Sequence, residues 1–449
     1  MSDAVEIHVA FDDHDSPRGG CTTHLASLFI YILLKETSIN PLFIDYPLLI
    51  RLNPGIPWKT RGNGAVVLRL SVPRGREEDL VELAVQTSIE YSLAFKSRTS
   101  SPGLAVLMGG KAERMHPLYL KALTDVVTPD IAIRYAEKHS ILIPKEVRGR
   151  GVIGALAALG GLISGEDYTY ELLAYRVPDM WGEPRRISGE SVRRMALATE
   201  PLTFSNYDFI KKKPLIAPRG PDPVLLGIRG NYPWILRKSL EMLEIEEPID
   251  AWIIYRSNQG TDAHCILRKL SELRPYQTAC VRGVVSGKPR IIRGGHICFI
   301  IKDQGGEHQA CIYEPAKPLT LIGEKLWLGD EIIVQGVVRP PSLHEPQTIN
   351  VEKIEVLKLA PKIVYRNPTC PRCGHTMKSA GRDKGFKCPK CGYRIKNASK
   401  IAVRIPRRLK LGVFTAPPRA AGHLLKPPSR IGWEKKRPPP PPEKWFYYS

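Results

Sequence analysis

Along the N-terminal part of the chain the apolar positions switch between a period of two and a period near 3.6. Val5-Glu6-Ile7-His8-Val9-Ala10-Phe11 alternates as a half-buried strand does, and Leu25, Leu28, Phe29, Leu33 and Leu34 then recur at helical spacing. Gly64 to Val72 reads as another strand and Glu77 to Phe95 as an amphipathic helix, so residues 1–150 predict an α/β domain. From 151 to 270 the order becomes a strand at Tyr170 to Arg176, a helix near Ser191 to Leu197, strands near Leu202 to Phe204 and Val224 to Arg229, a helix from Pro233 to Leu243 and a strand at Ala251 to Arg256. That β-α-β-β-α-β succession predicts a ferredoxin-like domain.

Residues 271–360 are dominated by β-branched, alternating segments at Thr278 to Val285, His296 to Lys302, His308 to Tyr313, Glu331 to Val338 and Thr348 to Leu357. Five short strands predict a small OB-type barrel, since an immunoglobulin-like sandwich needs about seven. The last 44 residues, 406–449, are basic and proline-rich with an uninterrupted run from Pro438 to Pro442, and predict an extended tail without a core of its own. The whole reads as a multidomain α+β chain.

The first strand runs directly into Asp12-Asp13-His14-Asp15-Ser16-Pro17-Arg18-Gly19-Gly20-Cys21-Thr22-Thr23. Carboxylates at the C-terminal end of a strand lie where open α/β sheets place ligands. Asp12, Asp13 and Asp15 offer the hard oxygens that magnesium takes, and Thr22 and Thr23 fall where a helix N-terminus faces phosphate. An Asp-rich turn that merely caps the helix is the plainer alternative, because Asp, Ser and Thr are also ordinary capping residues.

Charge changes the picture at the other end. The chain of 449 residues carries a formal net charge of +21, and residues 361–449 hold 22 Lys and Arg against three Asp and Glu. The surplus is interleaved with Trp433, Trp445, Phe446 and Tyr447 and is the footprint of a polyanion, most simply a nucleic acid. No apolar run reaches the ~18 residues of a membrane helix and no cleavable leader opens the sequence, so a cytoplasmic protein is expected. Cys370-x2-Cys373 and Cys388-x2-Cys391, each reading Cys-Pro-x-Cys-Gly, predict a closed tetrahedral zinc site in a ribbon spanning 361–405. Cys265, Cys280, Cys298 and Cys311 stand in strand-like or apolar surroundings and are expected as core thiols.

Four motifs together are recognisable: the Asp-Asp-x-Asp-Ser-x-x-Gly-x-Cys-Thr-Thr turn, the block from Arg51 to Gly64 (RLNPGIPWKTRGNG), Gly220 to Gly230 (GPDPVLLGIRG) and Ser257 to His264 (SNQGTDAH). In order, and over nearly the whole chain, they resemble the archaeal tRNA 2-agmatinylcytidine synthetases. The resemblance implies a kinase-like N-terminal domain and an ATP-dependent carbon-nitrogen ligase that joins agmatine to C2 of the wobble cytidine in an isoleucine tRNA with a CAU anticodon. It implies ATP cleavage to AMP, with phosphate passing to the cytidine and to the threonine matched by Thr22, and Asp12, Asp13 and Asp15 holding magnesium and phosphate. The family has threonine where His14 stands; His14 either adds a phosphate contact or fills space.

On the same footing Gly19, Gly20, Thr23, Lys59 and Arg61 are expected at ATP and phosphate, Arg51 and Trp58 at RNA, and Asp222 and Asp262 at the two cationic ends of agmatine. The chemistry agrees, because cytidine O2 leaves only poorly until it is phosphorylated. Expected cofactors are ATP, Mg2+ and Zn2+; expected partners are the tRNA and agmatine, with neither a membrane nor an obligate protein partner. Two rivals remain open: a non-catalytic tRNA-binding protein and an Asp-dependent phosphohydrolase.

Overall fold

The protein is described by a computed structural model covering residues 4–97, 99–163, 165–343 and 345–449. Strands β1 (Ala4–Asp12), β2 (Leu48–Arg51), β3 (Gly64–Pro73) and β4 (Gly103–Met108) come from the predicted N-terminal domain, and β5 (Thr169–Arg176), β6 (Val224–Gly230) and β7 (Ile249–Ser257) from the next. They do not build two separate sheets. One continuous sheet runs in the order β4-β1-β3-β2-β7-β5-β6, antiparallel throughout except where β2 meets β7, with Leu48 opposite Arg256 and Leu49 opposite Ser257.

Helices α1 (Thr22–Lys35), α2 (Glu77–Ala94), α3 (His116–Thr124), α4 (Pro129–Lys138), α5 (Val152–Leu159), α6 (Gly189–Thr199) and α7 (Pro233–Glu241) complete this body, and a single apolar core runs from Ile7 through Leu156 to Tyr255. The sequence of α5, Val-Ile-Gly-Ala-Leu-Ala-Ala-Leu, is apolar all round and the helix is accordingly buried beneath β1, β3 and β4. The expected strand at Leu202 to Phe204 is not formed. Only Thr203 bridges to Gly230, because Ser205 takes a left-handed backbone (φ 56°) and turns the chain off the sheet edge.

The barrel is closer to expectation. β8 (Thr278–Ile292), β9 (His296–Asp303), β10 (Gly306–Ile312), β11 (Glu331–Arg339) and β12 (Thr348–Lys358) form an antiparallel ladder in the order β10-β9-β8-β11-β12. Parallel pairing of Gln309 to Cys311 on Thr348 to Asn350 closes it. A short helix, α8 (Leu319–Lys325), follows β10 and sends Leu319 into the barrel core. The cysteines expected as core thiols are joined in two disulfides, Cys265 to Cys280 and Cys298 to Cys311; the second links directly opposed residues of β9 and β10.

Beyond the barrel, Lys362–Arg366 pairs with Ile401–Ile405 and frames the ribbon. The tail builds no core of its own, yet it is woven into the other two. Gly412–Thr415 adds to β12 and Phe446–Tyr448 to β7, while Leu424 and Trp445 enter the central core and Leu425 the barrel core. Arg430 is fully buried, with its guanidinium on Asp167 (2.7 Å), Asn231 Oδ1 (3.0 Å) and the carbonyls of Gly260 and Tyr168. Removing one partner of a buried ion pair leaves the other without its counter-charge, so Arg430→Ala is expected to lower unfolding stability by about 3–5 kcal/mol. A guanidinium titration followed by circular dichroism reads this as an earlier midpoint.

Candidate active site and zinc centre

The turn after β1 is held by tyrosines. Tyr91 Oη accepts from the Cys21 N–H (2.9 Å) and donates to the Cys21 carbonyl (3.2 Å), fixing the residue at which α1 begins. Tyr175 and Tyr255, from β5 and β7, both donate to the Thr23 carbonyl at 2.9 and 3.0 Å, so strands of the second half of the sheet set the pitch of the first turn of α1. Gly19 (φ 119°) allows the reversal, and a side chain at Gly20 would lie 2.9 Å from the His14 carbonyl and from Phe95 Cβ. These two glycines are buried under the turn and shape it. His14 is buried as well, with Nε2 on Ser88 Oγ at 2.6 Å and its ring edge-on to Phe11; burial drops its pKa to about 3, and the neutral ring lines neither of the two cavities described next.

Asp12, Asp13 and Asp15 divide between two cavities. Asp12 and Asp13 line one of about 350 Å³ whose walls are mostly apolar, among them Leu52, Ile56, Val127 and Ile153. Burial and then the neighbouring Asp13 push the Asp12 carboxyl well above its usual range, and burial raises Asp13 to about 6 although Arg150 Nη2 sits 3.1 Å away. Asp13 Oδ1 is buried without a hydrogen-bond partner among the described residues, and a Cβ at Gly154 would fall 1.8 Å from Asp12 Oδ2. Two crowded, under-compensated carboxylates fit a hard divalent cation, which would restore them to the charged form. Lys59 lines this cavity, and Trp58, half exposed, stands at its edge 5.7 Å from the Tyr276 ring.

Asp15 and Thr22 face the second cavity, about 310 Å³ and more polar. The Thr22 hydroxyl accepts from the His14 N–H and donates to Asp15 Oδ2, both at 3.1 Å, so its lone pairs and proton are both oriented. Burial raises the Asp15 pKa against the opposing pull of Arg61. Arg61 spans two carboxylates, Nε at 3.5 Å from Asp15 and Nη1 at 3.2 Å from Asp222. Thr23 and Arg51 also line this space. Arg51, with 14% of its side chain exposed, is ion-paired to Glu171 at 3.5 Å, inside the cleft and not on an outer surface. Thr60, from the loop between β2 and β3, lines both cavities and stands with the turn between them.

Asp262 stands apart from both cavities. Its carboxylate is paired with Lys353 of β12 and accepts from Gln335 (3.1 Å) and the Lys426 N–H (2.7 Å), tying sheet, barrel and tail together. Glu171, Arg229, Gln259, Arg150 and His423 also reach the site, none of them singled out from sequence. For Glu171 a signal exists, since it is the one acidic residue in a strand buried from end to end. Its own burial would raise its pKa, but Arg229 at 3.0 Å and Arg51 outweigh that and hold it ionised.

In the ribbon, Cys370, Cys373, Cys388 and Cys391 have their sulfurs all within 4.8 Å of one another, with closest separations of 3.5 Å. Tetrahedral zinc with Zn–S near 2.3 Å needs ~3.8 Å between sulfurs, so the four fit it. Gly374 (φ 69°) and Gly392 (φ 73°) close the two knuckles, each returning its N–H to the carbonyl of the first cysteine of its pair.

Mixed α/β layers with a closed five-stranded barrel, a four-cysteine ribbon and a carboxylate-walled cleft define a multidomain zinc-ribbon enzyme. The chain matches family models described as the TiaS TCKD domain over residues 8–92, the TiaS FLD domain over 149–264 and the TiaS C-terminal zinc ribbon domain over 367–409. It is 44% identical over 437 residues to the isoleucine-tRNA 2-agmatinylcytidine synthetase TiaS of Staphylothermus marinus, covering 96% of this chain and 94% of that protein. Crystal structures of TiaS in complex with its isoleucine tRNA and ATP (TM-score 0.84, 37% identity) and with the same tRNA, AMPCPP and agmatine (TM-score 0.81, 34% identity) each cover 94% of this chain, which covers 96% of theirs. The chain belongs to the family of isoleucine-tRNA 2-agmatinylcytidine synthetases.

Gly154→Ala tests how the carboxylate turn is supported. Displacing Asp12 by about 1 Å is expected to cost roughly 100-fold in ATP turnover, measured as AMP release, with the far-ultraviolet spectrum unchanged. For the ribbon, zinc removal by a strong chelator is expected to release close to one zinc per chain and to expose residues 367–409 to protease while the central sheet stays protected; a colorimetric zinc assay with peptide mapping reads both.

Proposed function

We propose that this chain is an ATP-dependent ligase that joins agmatine to C2 of the wobble cytidine of isoleucine tRNA with a CAU anticodon, by way of phosphate activation of O2. The observation that carries the reading is the partition itself: Asp12 and Asp13 face the apolar cavity, while Asp15, from the same turn, and Thr22, at the start of α1, face the polar one. ATP occupies the apolar cavity with its phosphates toward Asp12, Asp13, Lys59 and Arg150. Asp12 and Asp13 would hold a magnesium ion, which supplies charge neutralisation for the phosphates. Asp15 orients the Thr22 hydroxyl and Arg61 neutralises charge on the far side, so phosphate crosses the partition to Thr22 or to the cytidine O2.

The finer domain reading follows the same lines: kinase-like for residues 1–150, ferredoxin-like for 151–270, OB for 271–360, then the ribbon at 361–405 and the basic tail at 406–449. A β-α-β-α-β succession with Thr203 bridged at its edge supports the second, and a closed five-stranded barrel with a helix between its third and fourth strands supports the third. Asp222, anchored by Arg185 and Arg61 at the wall of the polar cavity, is the carboxylate best placed for an agmatine cation. The carboxylate of Asp262 serves the joint to the barrel instead. Trp58, at the edge of the cleft, is available to stack on a base of the anticodon loop.

Labelled agmatine with ATP and the tRNA is the direct test, and the wild-type protein is expected to incorporate label only when both are present. Asp12→Ala and Thr22→Ala should each lower incorporation by about 100-fold or more with tRNA affinity retained, whereas truncation at residue 360 should abolish it through lost tRNA binding. A non-catalytic binder would tolerate Asp12→Ala, and a small-substrate phosphohydrolase would tolerate the truncation. Absence of ATP- and tRNA-dependent label in the wild type sinks the ligase reading.

A further inference from the structure

The tail delivers one side chain into the polar cavity that the mechanism above does not use. His423 lines it together with Arg51, Arg229 and Glu171, although it lies far along the chain from all of them. Its Nδ1 is 3.1 Å from Gln259 Oε1, and Gln259 in turn donates from Nε2 to Glu171 Oε2. This relay fixes the imidazole tautomer. Glu171 is held ionised between Arg229 and Arg51 and can only accept, so Gln259 must present its amide N–H to Glu171 and its carbonyl oxygen to His423. The proton of the neutral ring therefore sits on Nδ1, and Nε2 carries a free lone pair.

Nothing among the described residues hydrogen-bonds that lone pair. A methyl group placed on Gly62 would lie 2.7 Å from His423 Nε2 and 2.6 Å from Arg51 Nη1, so the two nitrogens flank one spot that only a glycine leaves open. Burial first, then Arg51, Arg229 and Lys59, hold the ring well below the ordinary histidine pKa and keep it neutral. Asp15, Arg61 and Asp222 on the same cavity wall, and Glu352 of β12 beside Gly422, are the other charged groups of the surroundings.

We propose that His423 Nε2 is the proton acceptor for the attacking amine in the second half of the reaction, an inference that rests on the ligase reading. Agmatine arrives with its primary amine protonated and gives that first proton to solvent; the neutral amine then attacks C2 with its nitrogen lone pair, and the N–C bond forms. The C2–O bond breaks with its electron pair going to the departing phosphate, and the amine N–H proton passes to Nε2. The imidazolium then returns that proton to the phosphate as it leaves, so the ring ends neutral and no further reactant is needed. A weakly basic imidazole suffices, because the nitrogen becomes strongly acidic as it bonds to the electron-poor carbon. Glu171, through Gln259, supports the transient charge on the ring, and Gln259 and Glu171 are positioning residues.

His423→Asn separates this role from a structural one, since asparagine retains a donor toward Gln259 but has no atom at the Nε2 position. Three quantities are measured with full-length protein and tRNA: AMP formation in the absence of agmatine, and kcat and KM for labelled agmatine. AMP formation is expected to stay within about twofold while kcat for incorporation falls by about 10²- to 10⁴-fold, with KM for agmatine changed less than about threefold. His423→Gln, which keeps a polar atom at the cavity face but takes up no proton, is expected to show the same split and stands in should the asparagine variant lose its folded thermal midpoint. Unchanged kcat in a folded variant overturns the inference, and so does a raised KM with kcat kept or an equal loss of AMP formation. A wild-type protein that incorporates no agmatine overturns the functional reading and this inference with it.

Discussion

The parallel seam between β2 and β7 is the contact on which the site depends. Four strands from one part of the chain and three from another become one sheet only there, and only two residue pairs make the seam. Side chains extend it where the backbone pairing stops. Asn258 accepts from the Arg51 N–H and donates to the Arg51 carbonyl, both at 2.8 Å, as another strand residue would, and Ser257 Oγ donates to the Leu49 carbonyl at 2.6 Å. Each of these polar groups is buried, so losing one leaves its partner unsatisfied, and the motif is demanding about residue type for that reason. The next residue, Gln259, holds Glu171 and His423. Ser257 and Asn258 thus join the two halves of the sheet, and Gln259 braces Glu171 and His423, which line the cleft.

The loop between β2 and β3 is held by side-chain amides in the same way. Asn53 donates to the carbonyls of Asp125 and Tyr276 and accepts from the Gly55 N–H, while Asn63 donates to the Asn53 carbonyl. Arg61 and Asn63 take left-handed backbones (φ 40° and 49°), which folds the loop back across the cleft and brings Lys59 to one cavity and Arg61 to the other. Gly55 lets the loop touch the barrel, where any side chain would collide with Val337 and the Tyr276 carbonyl. The barrel is in this way registered against the active-site loop, and a polynucleotide held on the barrel would be held at a fixed distance from the carboxylate turn.

Much of this is legible in the sequence because local pattern and local structure agree. The β1 alternation ends at the aspartates, the helix from Glu77 runs nearly as its periodicity says, and four of the five barrel strands fall within about two residues of their β-branched runs, while the first continues seven residues past its own to Ile292. What is not legible depends on pairing at long range. Nothing in Leu48 to Arg51 says that its neighbour will be β7, so the pattern suggests two domains where one shared sheet stands. The tail is the sharper case. Its proline and lysine content marks a segment unable to build a core, yet it needs none, because Trp445, Leu424 and Arg430 each enter a hole that other segments leave. His423 is invisible for the same reason, as a lone histidine between glycine and leucine carries no period and no motif. Cys298 and Cys311 look like isolated thiols because a cross-strand disulfide has no signature until the register is known.

The balance of charge inside the polar cavity gives the proposed reaction an order. Arg51, Arg61 and Arg229 face Asp15, Asp222 and Glu171, and every carboxylate there already has a guanidinium within 3.5 Å. A dicationic agmatine meeting this wall would find no carboxylate to itself and would add like charge to three arginines. A phosphate arriving on the cytidine changes that, because Arg61, which is over a third exposed and shared between Asp15 and Asp222, is the cation most free to turn toward it. Once Arg61 engages the phosphate, Asp222 keeps Arg185 on Oδ1 and has Oδ2 free to pair with agmatine. Each ligand then favours the other by the same coupling energy, as linkage requires. The enzyme would in this way admit its nucleophile only after the carbon it attacks has been activated.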